Sequence, residues 1–206
     1  MTKEMSEADR DRRHAEKMRK KKAARDKIIA TKTIEKGLII VHTGKGKGKS
    51  TAAFGMIFRA LGHGRRVGIV QFVKGKWETG ERRSLDRFSD LISLHTMGEG
   101  FTWETQDRQR DIAAARAAWE KAKALIADEA HKFVLLDELN IVLRYDYLPI
   151  EEIVAAFRDK PEDTHVIITG RNAKDELIEI ADLVTEMTMV KHPFRSGVKA
   201  QLGIEF

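Results

Sequence analysis

Val41-His42-Thr43-Gly44-Lys45-Gly46-Lys47-Gly48-Lys49-Ser50-Thr51 follows an apolar run at 38–41 and leads into Ala52-Ala53-Phe54-Gly55-Met56, which has a helical pattern. A strand, a glycine-rich loop and a helix in that order are the setting a phosphate-binding P-loop requires. The glycines let the backbone curl so that successive N–H groups face an anion. The helix N-terminus adds partial positive charge. Lys49 supplies a full charge, and the Ser50 hydroxyl is suited to ligate Mg²⁺. The usual spacing, G-x-x-x-x-G-K-[ST], puts Thr43 where a glycine is common, while Gly44 and Gly46 stand inside the loop. A flexible Gly/Lys linker would share this composition, but it would not need the flanking strand and helix. The stretch points to a bound nucleoside triphosphate.

A second element supports the first. Phe133-Val134-Leu135-Leu136-Asp137-Glu138 is an apolar run closed by two carboxylates. A buried parallel strand needs the apolar run. Acids at its C-terminal end can hold Mg²⁺ directly or through water.

The 206 residues contain no cysteine, which excludes disulfides, thiolate catalysis and Cys-based zinc sites and fits a reducing cytoplasm. No apolar run approaches the roughly twenty residues that cross a bilayer. The charged N-terminus lacks the apolar core of a secretory signal. The net charge of +6 is concentrated in one place: residues 1–30 hold eleven Lys/Arg and six Asp/Glu, leaving +1 for the remainder. Residues 1–36 therefore read as a basic charged extension, a solvated tail or a lid over an anionic ligand, and 37–206 as the folded domain. The near-neutral body argues against a large electrostatic footprint for nucleic acid.

After residue 37, strand and helix patterns alternate, which predicts an α/β fold with a parallel sheet. Strands are expected at 38–42, 67–73, 91–96, at the run ending in Asp137-Glu138, at 165–169 and at 183–190. Helices are expected from the P-loop to 61, over 105–128, from 139, over 150–158 and over 173–181. Ile112, Ala115, Trp119, Ala122 and Ile126 share one helical face, which assigns Trp119 to the core. Ligands of such sheets sit at the C-terminal strand ends. Those ends gather the P-loop, the loop 74–82, Phe101 and Trp103, Asp137-Glu138 and Arg171. Cations and aromatics together suggest a polyanion and a large flat or apolar second substrate. The seven histidines show no i, i+4 pair of the kind that binds zinc.

Read together, these motifs resemble those of the P-loop ATP:corrinoid adenosyltransferases. They include Thr43 to Gly55, Gln71-Phe72-Val73-Lys74-Gly75, Gly100-Phe101-Thr102-Trp103-Glu104-Thr105-Gln106 and Leu136-Asp137-Glu138-Leu139. The similarity continues through Tyr145-Asp146-Tyr147-Leu148-Pro149, Ile168-Thr169-Gly170-Arg171 and Val190-Lys191-His192-Pro193-Phe194. It covers about residues 37–206, and the Thr43 departure is itself similar to that family. Ser50 stands where a Thr is expected, and it keeps the hydroxyl.

The resemblance implies a three-layer P-loop NTPase (RecA-like) fold with a mostly parallel central sheet of five to six strands. It implies transfer of the 5′-deoxyadenosyl group of ATP to the Co(I) of a reduced corrinoid, with release of triphosphate, in adenosylcobalamin biosynthesis and salvage. Thr43, Gly44, Lys45, Gly46, Lys47, Gly48, Lys49, Ser50, Thr51 and Arg171 would contact ATP. Ser50, Asp137 and Glu138 would hold Mg²⁺, and Lys49, Ser50 and Glu138 would carry the chemistry. Phe101 and Trp103 would meet the corrinoid and displace its lower axial ligand. His192 is noted by resemblance alone. A flavodoxin-like or other flavin reductant supplying Co(I), a homodimer and a cytoplasmic location are also implied. The residues alone leave two other readings open: a P-loop small-molecule kinase, which would release ADP, and a nucleic-acid-binding ATPase using the basic tail as an arm.

Overall fold

The computed structural model describes residues 6–73, 80–96 and 107–205. They divide into two compact units, Met1–Glu35 and Lys36–Phe206.

The first unit is one helix, α1 (Glu7–Ala30). Ser6 caps it by accepting from the backbone N–H of Asp9. Arg12–Asp9 and Lys20–Glu16 pairs bridge successive turns on its surface. A single helix has no core of its own, and this one carries mainly charge.

The second unit is a six-stranded sheet in the order β3-β2-β4-β5-β1-β6. The strands are β1 (Ile39–Thr43), β2 (Val67–Gln71), β3 (Ile92–Thr96), β4 (Phe133–Asp137), β5 (His165–Thr169) and β6 (Leu183–Glu186). Every pairing is parallel, so the sheet is wholly rather than mostly parallel among the described residues. Parallel strands need crossovers, and helices supply them on both faces. Helix α2 (Lys49–Gly62) covers one face, burying Ala53, Phe54, Ile57, Ala60 and Leu61 against Ile40, Ile69, Leu135 and Ile167. On the other face lie α4 (Arg108–Ala127), α5 (Leu139–Arg144), α6 (Ile150–Arg158) and α7 (Asp175–Ile180). Their core is built on Val41, Val70, Val134, Leu136, Val166 and Ile168. Trp119 is fully buried there, edge-on to Phe157, as its helical spacing predicts. Its indole N–H donates to Glu152 at 2.7 Å, which satisfies the polar end of a buried ring. A short α3 (Gly80–Leu85) and a 3₁₀ turn (Asp86–Leu91) precede β3, where only a loop and a strand start were expected.

Several expected boundaries shift, each for a local reason. The strand expected at 38–42 starts at Ile39, because the N–H of Leu38 is taken by the His165 ring. The one expected at 67–73 ends at Gln71. The helix expected at 105–128 begins at Arg108, where Asp107 accepts from the N–H groups of Gln109 and Arg110. The helix expected at 173–181 spans Asp175–Ile180, since the N–H of Ala173 is drawn to the Thr43 hydroxyl. The last strand, expected to reach 190, stops at Glu186. Beyond it the N–H of Met187 still bonds the Thr43 carbonyl, but the Met187 carbonyl turns to the P-loop and accepts from Gly46 at 2.6 Å.

Candidate active site

The C-terminal ends of β1, β4 and β5 converge beneath the start of α2. The P-loop leaves β1 through Gly44 and Gly48, with φ of 99° and 104°. These left-handed values favour glycine. The loop also lies against the chain after β6: a Cβ on Gly44 would come 2.4 Å from the Met187 carbonyl, and one on Gly46 would come 2.5 Å from that of Thr188. The glycines therefore serve close packing as well as curvature. One amide expected to face a phosphate, that of Gly46, is already bonded to Met187. The Thr43 hydroxyl likewise accepts from Ala173. Both residues shape the loop through these bonds.

Lys49 is buried at the start of α2, and its Nζ donates to the Gly46 carbonyl at 2.6 Å. Burial lowers its pKa, the nearby Glu138 works against that, and Arg171 and Lys47 add to it. Lys45 and Thr51 are exposed, and Lys47 is paired with Glu205 near the C-terminus. Arg171 is exposed in the loop after β5, close enough for its charge to bear on both Lys49 and Glu138.

Asp137 is the buried end of β4. It accepts from the Thr169 hydroxyl at 2.8 Å and from the Gln71 amide at 3.3 Å. The Ser50 hydroxyl joins them. Burial raises the pKa of Asp137, and these three hydrogen bonds oppose the rise. Glu138 adopts a left-handed backbone with φ of 63°, and its N–H donates to the Thr169 hydroxyl at 2.9 Å. Burial and the neighbouring Asp137 push its carboxyl up to about 7, against the pull of Lys49 and Arg171. Its Oε2 is buried with no hydrogen-bond partner among the described residues.

The structure thus brings together Lys49, Ser50, Asp137, Glu138 and Arg171 from separate strand ends. Phe101, Trp103 and the loop residues 74–79 lie outside the described residues. His192 is exposed and accepts from the N–H of Phe194, capping a 3₁₀ turn (Pro193–Ser196). Sequence reasoning assigned no part to Thr169, Gln71 or Met187. Thr169 and Gln71 sat in quoted motifs, Thr169 at the end of a predicted strand and Gln71 two residues short of the end of one, and that position was the signal available.

The donor set fits Mg²⁺. Ser50, Asp137 and Glu138 offer hard oxygens, one of them an unpaired buried carboxylate oxygen, and Mg²⁺ is commonly held by one or two carboxylates together with phosphates. No group of three or more His, Cys, Asp or Glu forms a metal cage among the described residues.

Comparison with known proteins gives the same direction. A family model described as ATP:corrinoid adenosyltransferase BtuR/CobO/CobP matches residues 35–206, and one described as Cob(I)alamin adenosyltransferase N terminal matches residues 4–29. A corrinoid adenosyltransferase of Sinorhizobium sp. is 65% identical over 198 residues, covering 95% of this chain and 92% of that protein. One of Pseudomonas aeruginosa is 54% identical over 198 residues, with 96% and 98% covered. The corrinoid adenosyltransferase CobA of Salmonella typhimurium is 46% identical over 196 residues, with 95% and 99% covered.

Proposed function

We infer the chemistry of this site from one premise: the chain belongs to the ATP:corrinoid adenosyltransferase family. It transfers the 5′-deoxyadenosyl group of ATP to a reduced corrinoid. The Co(I) electron pair forms the bond to C5′, the C5′–O bond breaks, and triphosphate leaves with the two electrons of the C5′–O bond. The observation that carries this reading is the meeting of Lys49 with Ser50, Asp137 and Glu138 at the P-loop of such a chain.

The leaving group is the whole triphosphate, so its developing charge is what the protein must stabilise. Lys49 and the helix N-terminus of α2 face that charge, with Lys45, Lys47 and Arg171 around it. Lys49 exchanges its bond to the Gly46 carbonyl for one to phosphate. Bound Mg²⁺ would neutralise part of the phosphate charge, held by Ser50 and Glu138 with Asp137 behind them. No protein base is required, because the corrinoid supplies the nucleophile. Phe101 and Trp103 are assigned to the corrinoid face. The basic residues 1–36 are assigned to closure over the anionic ligands and exclusion of water. A flavin reductant, a homodimer and a cytoplasmic setting complete the proposal. No helix among the described residues is long and apolar enough to cross a membrane.

The test is anaerobic. Protein, Mg-ATP and chemically reduced cob(I)alamin should give a light-sensitive alkylcobalamin with one triphosphate per product. Release of ADP in place of triphosphate would turn the reading to a kinase. Lys49→Ala should lower kcat/KM for ATP by 10²-fold or more, about 3 kcal/mol of transition-state stabilisation. Wild-type rates in that variant would remove the P-loop from the mechanism.

A further inference from the structure

The hydrogen bonds to Asp137 belong to a longer chain across the sheet. The Thr96 hydroxyl at the end of β3 donates to the Gln71 Oε1 at 3.2 Å. The Gln71 Nε2 at the end of β2 donates to Asp137 Oδ2 at 3.3 Å, and Thr169 at the end of β5 donates to Asp137 Oδ1 at 2.8 Å. Register places these residues side by side: Gln71 is opposite Thr96 on one side and Asp137 on the other. The last residues of four strands are therefore linked beneath the P-loop.

The chain has a direction. Asp137, when ionised, only accepts, so the Gln71 amide must present its NH₂ to it and its carbonyl to Thr96. Thr96 fills that carbonyl, which disfavours the flipped amide. With Oδ1 and Oδ2 each held by one donor, the carboxylate cannot rotate freely, and the neighbouring Ser50 hydroxyl faces a carboxylate of set orientation. That matters for a metal. A Ser50 hydroxyl whose proton is committed to Asp137 points its lone pairs outward, as a ligand must. A hydroxyl whose proton is free can turn that proton toward a cation.

We propose that Gln71, oriented by Thr96, is a positioning residue that fixes Asp137 and through it sets the Ser50 hydroxyl for metal–nucleotide binding. The proposal rests on the assignment of Ser50 and Asp137 to Mg²⁺ above. Residues behind the ligands of a metal commonly change affinity by about 10–100-fold when removed.

The experiment measures ATP affinity by calorimetry, once with Mg²⁺ and once with EDTA, for wild type, Gln71→Met, Thr96→Val, the double variant and Asp137→Asn. Gln71→Met should weaken Mg-ATP binding by about tenfold and leave metal-free ATP binding within about twofold, since Lys49 and the loop are untouched. Thr96→Val should give a smaller loss of the same kind, and the double variant should be no worse than Gln71→Met, because both act through one amide. Equal losses with and without Mg²⁺ would show a purely structural role and overturn the proposal, as would no loss at all. Should Gln71→Met fail to fold, the nearly isosteric Thr96→Val decides the matter by the same criterion. Asp137→Asn separates the two levels. If it abolishes the Mg²⁺ dependence and neither Gln71→Met nor Thr96→Val alters it, only the positioning role is lost. If Asp137→Asn also leaves it intact, the metal assignment itself fails.

Discussion

At Glu138 the backbone is left-handed and the carboxyl Oε2 is buried without a partner among the described residues. Both features cost free energy in the ligand-free protein. The carboxyl titrates near 7 in the folded state and near 4.5 when unfolded. The folded state therefore holds the proton more tightly, and stability declines as pH rises from about 4.5 through 7. Glu138→Gln should remove that decline. In urea unfolding we expect little gain at pH 5 and about 2 kcal/mol at pH 8. An equal gain at both values would show that charge is not the cause. The two acids were legible in the sequence because an apolar run ended in them. Their hydrogen-bond partners were not, because Gln71 and Thr169 stand 66 and 32 residues away from Asp137 and meet it only through strand order. Nothing in a local pattern announces that neighbour relation.

The P-loop shows the same division at the scale of an element. Its glycines and Lys49 were readable from spacing and context, and strand and helix stand on either side as expected. The packing of the loop against Met187 and Thr188 was not readable, because the last strand was drawn four residues too long. Continuous apolar and β-branched residues at 187–190 favour a strand locally, but the carbonyl of Met187 bonds the loop rather than a neighbouring strand. The consequence can be measured with two alanines. Gly44→Ala forces a side chain into a φ of 99° and toward the Met187 carbonyl, so it should cost about 2 kcal/mol or more of stability and weaken ATP binding at least tenfold. Gly55→Ala, in α2 with no heavy atom within 4 Å of the added carbon, should stabilise by about 0.5–1 kcal/mol and leave binding unchanged. Thermal unfolding and calorimetry on both variants check the contrast. A Gly44→Ala protein with normal affinity would mean that the loop geometry is not what holds the phosphates.

For the whole molecule, the charge is divided as the fold is. The helical unit takes most of the excess positive charge, while the sheet unit holds the core. A shortened chain lacking residues 1–35 should therefore keep its melting temperature within about 2 °C, since no core residue is removed. Turnover with ATP and reduced corrinoid should fall several-fold if the basic helix closes over the ligands. Full turnover in the shortened chain would assign α1 another purpose. The change in composition suggested a division after residue 36, and the alternation of elements pointed to a parallel α/β sheet. The order of the inner strands was beyond reach, since β1, β2, β4 and β5 are apolar runs of the same length with nothing local to rank them.

That order has a temporal side. β1 lies between β5 and β6, pairing with residues from 166 to 169 and from 183 to 186. The loop that follows β1 is among the first parts of the domain to be made, yet both of its flanking strands are among the last. At about 5–20 residues per second, roughly 7–30 s separate the synthesis of the loop from that of β6. For most of that interval β1 and its loop have neither partner strand, and until β6 appears they have β5 alone. Nucleotide capture is thus a late event in the birth of each molecule, and a ribosome that stalls before residue 183 leaves a nascent chain with its fingerprint written but without the Met187 and Thr188 backbone that the loop packs on.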